Sequence, residues 1–165
     1  MSAQSVTAVL IPAQMQQPLE TKPITGFRDI QRLAEMVIPV DIEPRALTMW
    51  VDAHDRYKGV PMNLRATSLR WYWDPASRRL PALHGDVLLV GDAGSTIAIG
   101  DVPDTMRRDL LQRGPYGVEV QLDSDGSWTQ RPGVFETYAD AAMWAVLVPE
   151  REREVRTARI AEIRE

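Results

Sequence analysis

The sequence contains no cysteine, and this excludes a disulfide framework, a thiol nucleophile and every thiolate metal site. Histidine is scarce as well, since His54 and His84 are the only two and their separation gives no recognisable spacing of metal ligands. The phosphate-loop pattern, the Gly-x-Ser-x-Gly elbow and the Ser-x-x-Lys pair are absent. We therefore expect a non-enzymatic protein with no catalytic residues, no metal and no cofactor.

Long apolar runs are absent too. The longest lies within residues 85–94 and is far shorter than the roughly 20 residues that a helix needs to cross a bilayer. The N-terminal stretch has no Lys or Arg before a short apolar part, which is not the pattern of a signal peptide. These features predict a cytoplasmic protein without membrane contact.

The acidic excess is confined to the last third of the chain. Residues 1–113 contain as many acidic as basic residues, so the net charge of −4 comes from residues 114–165. A hydrophobic fraction of 44% and a charged fraction of 25% are ordinary for a globular protein of 165 residues, which suits one domain, or one domain with a small module. The acidic balance argues against a general polyanion binder but leaves a local basic patch open.

Apolar periodicity predicts an α+β domain over residues 1–113, with a mixed, mainly antiparallel sheet and about three helices. The predicted elements are a strand at Val6–Pro12, a proline-containing edge strand within 14–23, a helix over 25–37 capped by Thr25, strands over 38–44 and 46–53, a helix over 64–73, a central strand over 84–91, its hairpin partner over 95–100, and a helix within 101–114. In the strand over 46–53, Leu47, Met49 and Val51 are predicted to face the core.

A boundary at Gly114-Pro115 separates a predicted second domain, residues 114–165, with a β-β-α-β pattern. Its strands are expected over 116–123, over 127–131 and within 150–163, and its helix over 137–148. The stripe of this helix predicted to be buried consists of Ala141, Trp144, Ala145 and Val148. An exposed edge strand would make a homodimer easy to form.

The stretch over residues 60–75 is unusually rich in arginine and aromatic residues. Asn63 is a good N-cap for a helix. Asp74 precedes a proline and therefore predicts the end of that helix, because the residue before proline avoids the α region.

Two interpretations of this stretch stay open. In the first it is structural, and Ala66, Leu69 and Trp73 form a buried helix face. In the second it is a recognition surface, because arginine and aromatic side chains are favoured at protein hot spots and also stack on bases and hold phosphates. The binding residues would then be Arg65, Ser68, Arg70, Trp71, Tyr72, Arg78 and Arg79.

Three short motifs resemble a family of uncharacterised domains found in actinobacterial phages, plasmids and integrative elements. They are Ile-Pro-Ala at 11–13, Pro-x-Asn-x-x-Ala-Thr at 61–67 and Gly-Asp-x-x-x-x-Gly at 85–91. The resemblance covers about residues 1–113, and the family has no assigned activity. It implies a small accessory protein of a phage or mobile element, acting in the host bacterial cytoplasm. The end of the chain resembles small modules with an Asp-Gly-x-Trp hairpin and a Val-Phe-x-Thr-x-x-x-Ala helix, here at 125–128 and 134–141.

Three functional hypotheses follow. The leading one is a binding protein for a host protein or a ligand, in an inhibitor, anti-defence or adaptor role. The alternative is nucleic-acid or nucleotide binding through the arginine and aromatic residues of 65–79. The third is an enzyme of unknown class, which would need a pocket in which polar groups such as Asp52, His54 and Asp86 converge. As a metal site, the turn that holds Asp52, His54 and Asp55 is less expected than an ordinary surface turn.

Overall fold

The computed structural model describes residues 4–94 and 98–164. In this part of the chain, helices and antiparallel sheets occur together, which confirms the predicted α+β class. The chain divides into two compact units, Met1–Arg107 and Arg108–Glu165, so the division lies somewhat before the predicted boundary at Gly114-Pro115. Among the described residues, no helix combines the length and the apolar composition needed to cross a bilayer.

The first unit is built around a six-stranded sheet with the order β2-β1-β5-β4-β3 and with β6 paired to β5. Every strand pair in it is antiparallel, so the sheet is more uniform than the mixed sheet predicted from the sequence. Its strands are β1 (Val6–Ile11), β2 (Glu20–Ile24), β3 (Val37–Ile42), β4 (Leu47–Asp52), β5 (Val87–Asp92) and β6 (Ile99–Gly100). The hairpin partner predicted over 95–100 is seen as β6, and its first three residues lie outside the described part of the chain.

The central position of β5 is confirmed, because this strand pairs with β1 on one side and β4 on the other. Its apolar residues Val87 to Val90 are all buried, as a strand covered on both faces requires. The same holds for β4, where the sequence predicted only one buried face. Thr48 and Trp50, on the face predicted to be exposed, are buried as well, because a helix and loop cover that face.

The helix predicted over 25–37 is much shorter in the structure. Helix α1 (Phe27–Gln31) has Gly26 as its N-cap, and Thr25 does not cap it. Instead, the Thr25 backbone N–H and hydroxyl donate to the Asp29 carboxylate, at 2.8 and 2.6 Å. The residues after α1 form a turn, and Leu33 is exposed and does not reach the core. The helical spacing of apolar residues up to Val37 was therefore not enough to extend the helix.

Helix α2 (Leu64–Trp73) has the predicted bounds. The Asn63 side chain accepts a hydrogen bond from the Ala66 N–H, and the helix ends at Asp74, followed by a 3-10 turn at Pro75–Arg79. Its buried apolar residues are Ala66, Leu69 and Trp73, which confirms the face predicted by the structural interpretation. The next helix is α3 (Asp104–Leu111), and the division between the two units falls within it, between Arg107 and Arg108.

The two edge strands of this sheet, β2 and β3, each contain a proline, Pro23 in one and Pro39 in the other. Proline has no N–H to donate to a further strand, so both edges are poorer templates for pairing than a regular strand would be. The prediction of a homodimer through an exposed edge stays a prediction.

The second unit has the predicted β-β-α-β order. Its sheet has the antiparallel order β8-β7-β9 and is formed by β7 (Tyr116–Leu122), β8 (Trp128–Gln130) and β9 (Val155–Glu162), with helix α4 (Tyr138–Arg151) between β8 and β9. The Thr137 hydroxyl caps α4 by accepting from the Asp140 N–H at 3.1 Å. Trp144 was predicted to be buried but is 48% exposed, while Ala142 and Val146 are buried instead.

Candidate functional site: a groove on the six-stranded sheet

Arg65, one of the predicted binding residues, points inward. Its Nη2 donates to the carbonyl oxygens of Pro12 and Gln14, at 2.7 and 2.9 Å, and the side chain is buried. A guanidinium held by two backbone carbonyls fixes the loop that leaves β1. This geometry makes Arg65 part of the scaffold of the first unit.

The other six predicted residues do not form one exposed basic surface either. Arg70 is buried, and the loss of solvation lowers the pKa of its guanidinium, an effect that the charge of Asp74 opposes. Arg78 donates through Nε to the carbonyl of Trp71 at 3.2 Å. The part-buried residues are Ser68, Trp71, Tyr72 and Arg78, and Arg79 alone of the seven is exposed.

A cavity of about 520 Å³ lies on the sheet face that α1 covers. We call it the sheet groove. Its floor is a row of neighbouring side chains on three adjacent strands, because Leu10 pairs with Leu88 and Leu88 pairs with Trp50. Ile30 of α1 closes the row from above and belongs to the same apolar cluster. The groove therefore offers an apolar surface of the size that small organic ligands occupy.

Three carboxylates line one end of the sheet groove: Asp52, Asp55 and Asp86. Asp52 is held by backbone donors, since its Oδ1 accepts from the His54 N–H at 2.9 Å and its Oδ2 from the Glu35 N–H at 3.3 Å. The His54 N–H is the main reason that the pKa of Asp52 is lowered, so this carboxylate carries a negative charge at neutral pH.

Asp55 is in the opposite situation. Its carboxylate has no hydrogen-bond donor among the residues that the structure describes, and it lies directly over Gly85, where a Cβ would meet Asp55 Oδ2 at 1.9 Å. Burial raises the pKa of Asp55, and the negative charges of Asp52 and Asp86 raise it further, while the charges of Lys58 and His84 oppose this rise. Asp55 is thus a partly buried acid beside other acids, and no salt bridge reaches it among the described residues.

The nearby lysines are engaged elsewhere. Lys58 Nζ lies 2.7 Å from Glu35 Oε2, and Lys22, which also lines the groove, lies 3.7 Å from Glu20 Oε1. In the described ranges, no salt bridge reaches Asp55 or Asp86. The carboxylate end of the sheet groove is therefore negative, and the charge of Lys58 compensates it only in part.

A hydrogen-bond network positions this end of the groove. Asn63, fully buried, donates through Nδ2 to the carbonyls of Ile11 and Gly85, at 2.8 and 2.9 Å. Gly85 donates its N–H to Pro61 O at 3.0 Å, and Asp86 Oδ1 accepts from the Ala13 N–H at 2.9 Å. Residues 11–13, 61–63 and 85–86, which are far apart in the sequence, thus meet beside the groove.

The indole of Trp50 lines the groove and carries an unsatisfied donor. Trp50 is 6% exposed, and its Nε1–H has no hydrogen-bond partner. Its ring packs edge-on against Phe27, with centroids 5.2 Å apart. Trp50 also lines a neighbouring cavity of about 240 Å³, together with Asp41, Thr48 and Asp92. A buried N–H without an acceptor costs about 1–3 kcal/mol, so an acceptor entering beside this indole would be stabilised.

The two histidines and the predicted metal candidates do not form a metal centre. His54 Nδ1 lies 3.7 Å from Glu35 Oε2, and His84 Nδ1 lies 2.8 Å from the Val60 carbonyl. No group of three or more His, Cys, Asp or Glu side chains within 4–94 and 98–164 is arranged to hold a metal ion. Asp52 and Asp86, named from the sequence as converging groups, do line the groove, whereas His54 is not among its described lining residues.

Sequence reasoning missed the roles of Gly85 and Trp50. Gly85 has φ +72°, and only a residue without a Cβ leaves room for the Asp55 carboxylate. The glycine before Asp86 was a visible signal of an unusual backbone conformation. Nothing in the local sequence of Trp50 indicates that its indole N–H lacks an acceptor, since that depends on packing.

Comparisons of the chain with protein-family models, with curated proteins and with solved structures found no match. The family resemblance of residues 1–113 therefore stays a prediction.

Proposed function

We propose that this chain is a non-enzymatic binding protein and that the sheet groove is where it holds its partner. The observation that carries this proposal is that the residues lining one cavity include an apolar row, an acid without a hydrogen-bond donor and Trp50, whose indole N–H has no acceptor. Unsatisfied polar groups around an apolar cavity are typical of ligand sites. The described residues lining the groove include no serine, cysteine or histidine, so they offer no nucleophile–base pair of the Ser–His or Cys–His type.

The proposal extends to the context that the resemblance implies: a small accessory protein of a phage or mobile element, acting in the host bacterial cytoplasm on a host protein or ligand, as an inhibitor, an anti-defence factor or an adaptor. The supporting feature is that the three motifs of the resemblance, at 11–13, 61–67 and 85–91, are joined by hydrogen bonds beside the groove. A signature that builds one site is expected if the site is what such proteins share.

Nucleic-acid binding through 65–79 has less support. Arg65 holds two carbonyls of the β1 loop and Arg70 is buried, so two of the four arginines are not available as phosphate ligands. Phosphate binding also requires exposed cations in one place.

A pull-down from host lysate with matched variants tests the proposal. Ala34→Trp places a large side chain in the groove from a part-buried loop position, and Ala76→Trp adds the same side chain at an exposed position elsewhere. We expect a partner to be retained by the wild type and by Ala76→Trp through a high-salt wash, and to be lost with Ala34→Trp.

Retention that is insensitive to Ala34→Trp would contradict the groove as the site. Recovery of nucleic acid that is released at high salt, and that requires Arg79, would favour the alternative function instead. Circular dichroism of each variant separates loss of binding from loss of folding.

A further inference from the structure

The sheet groove has a polarity that indicates which ligand it takes. At the carboxylate end, Asp52 stays charged because two backbone N–H groups hold it, and Asp86 adds a second carboxylate. Asp55 lines the same end of the groove and has no hydrogen-bond donor and no salt bridge among the described residues. Lys58 is paired with Glu35 and Lys22 with Glu20, and the Lys58 charge also acts on Asp52 and Asp55. This end of the groove still has more acidic than basic side chains, so its charge favours a cation.

The apolar floor next to these carboxylates favours an organic cation over an inorganic metal ion. Leu10, Leu88 and Trp50 form a continuous apolar row along the groove. A hydrated inorganic cation would gain nothing from an apolar lining, whereas an organic cation would bury apolar surface there, worth roughly 25 cal/mol per Å². That surface lies mainly on half-buried Leu10 and on exposed Leu33, because Leu88 and Trp50 are already buried. Moreover, the described residues contain no cluster that could hold a metal ion.

The indole N–H of Trp50 adds a second polar requirement. Trp50 is 6% exposed, its Nε1–H lacks an acceptor, and the residue lines both this groove and the neighbouring cavity of about 240 Å³. A ligand that supplies an oxygen acceptor beside its apolar part would satisfy it. A peptide carbonyl is such an acceptor, and it is separated from a lysine or arginine cation by an apolar stem.

We propose that the sheet groove binds an organic cation, a guanidinium, amidine or protonated amine carried on an apolar body, with the cation at Asp55 between Asp52 and Asp86 and the apolar part on Leu10, Leu88 and Trp50. This inference rests on the proposed function and narrows it to a class of ligand. The cation comes either from an arginine or lysine side chain of a polypeptide partner or from a free small amine. In both cases Asp55 is the residue that selects it.

Titration calorimetry on the full chain with two pairs of probes tests the inference. Benzamidine and benzamide have nearly the same shape but differ in charge, and acetyl-Leu-Arg-Leu-amide differs from its citrulline counterpart in the same way. We expect each cation to bind at least tenfold more tightly than its neutral partner. Asp55→Asn should remove this preference, whereas Asp123→Asn, which changes the net charge equally at an exposed position in the second unit, should leave it intact.

Two results would overturn the cation preference: equal binding of charged and neutral probes, or a preference that survives in Asp55→Asn. Absence of binding by all four probes at millimolar concentration would overturn it as well.

The broader proposal, that the sheet groove is the binding site, is judged separately with Ala34→Trp. Neutral probes that bind the wild type but not Ala34→Trp would keep the groove as the site while removing the cation inference. Probes that bind both equally would contradict the two together.

The same titrations identify the source of the cation. A peptide that binds more tightly than benzamidine, and loses affinity about fivefold in Trp50→Phe while benzamidine does not, supports a polypeptide partner whose carbonyl accepts from the indole. Tighter binding of benzamidine supports a free small amine. Equal effects of Trp50→Phe on both probes would overturn the role assigned to Trp50, and circular dichroism checks that this variant folds.

Discussion

The helix α2 segment, residues 65–79, and the sheet groove lie in the same unit and contain the same kinds of side chain, but they differ in how their polar groups are engaged. In the α2 segment, Arg65 and Arg78 donate to backbone carbonyls, and the buried Arg70 Nε and Trp71 Nε1 have no hydrogen-bond partner within the described part of the chain. In the groove, the Asp55 carboxylate has no donor among the described residues, and it lies beside other acids that line a cavity. The comparison shows that residue type identifies candidates for a site, whereas an unsatisfied polar group indicates a ligand only where a cavity adjoins it.

The largest effect is expected where the two regions are joined. Asn63→Ala removes the cap of α2 and leaves the carbonyls of Ile11 and Gly85 buried without a donor. A lost cap costs about 1 kcal/mol and buried unsatisfied groups about 1–3 kcal/mol, so we expect a loss of about 3 kcal/mol in the free energy of unfolding. Urea denaturation measures it.

Thr137→Ala in α4 is the control for Asn63→Ala. Thr137 also caps a helix, but its hydroxyl accepts from the Asp140 N–H and joins no distant strands. We expect a loss of about 1 kcal/mol, the usual value for a cap alone. Equal losses for the two variants would show that Asn63 acts only as a cap and would remove the link between α2 and the groove.

Gly85→Ala should have the next largest effect. Its φ of +72° strains any residue with a Cβ, and that Cβ would also displace the Asp55 carboxylate. We expect a loss of about 2 kcal/mol in the free energy of unfolding, of which backbone strain contributes about 1 kcal/mol and the clash with Asp55 the rest. Adding Asp55→Ala should restore part of it, because only the backbone strain then remains. A double-mutant cycle that shows no coupling would place Asp55 away from Gly85 in solution.

A smaller loss of stability is expected for one of two arginines of the α2 segment, Arg65, and almost none for the other, Arg79. Arg65→Met removes two hydrogen bonds from a buried guanidinium to Pro12 and Gln14, and we expect it to destabilise the fold by about 1.5 kcal/mol. Arg79→Met, at an exposed position of the same segment, should stay within about 0.5 kcal/mol. Thermal denaturation of both variants compares them. Similar values would contradict the scaffold role of Arg65.

The smallest effect has the opposite sign and depends on pH. Because the folded state raises the pKa of Asp55, ionising this group costs stability at neutral pH, and the cost disappears once the carboxyl is protonated in both the folded and unfolded states. We expect Asp55→Asn to raise the melting temperature by about 1–2 °C at pH 7 and by nothing near pH 3. A lower melting temperature at pH 7, or the same increase in Asp123→Asn, would show that the ionised Asp55 carboxylate does not destabilise the folded protein.

Much of the fold could be predicted from the sequence because its signals are local. The Asn63 cap and the Asp74-Pro75 stop bound α2 correctly, and the apolar run of β5 indicated the centre of the sheet. Errors arose where tertiary packing overrides the pattern. Helix α1 stops early, and Trp144 lies on the exposed side of α4 because Ala142 and Val146 fill the buried side.

The candidate site was only partly predictable. Asp52 and Asp86 were named as groups that would converge if a pocket existed, and they do line the groove. The seven residues proposed for binding were chosen because of their types, and the burial of Arg65 and Arg70 depends on carbonyls and side chains far away in the sequence. The isolation of Asp55 and the unsatisfied indole of Trp50 are properties of packing, which no spacing of residues in a single sequence expresses.

Pro23 and Pro39, in the two edge strands of the larger sheet, have a consequence for the behaviour of the protein at high concentration. Fibrillar aggregation grows when the open edge of one molecule's sheet hydrogen-bonds to a strand of the next, and a regular ladder needs an N–H at alternate positions. A molecule approaching either edge of this sheet meets a position that donates nothing. Each of these two prolines therefore disfavours the addition of a further strand at its edge of the six-stranded sheet.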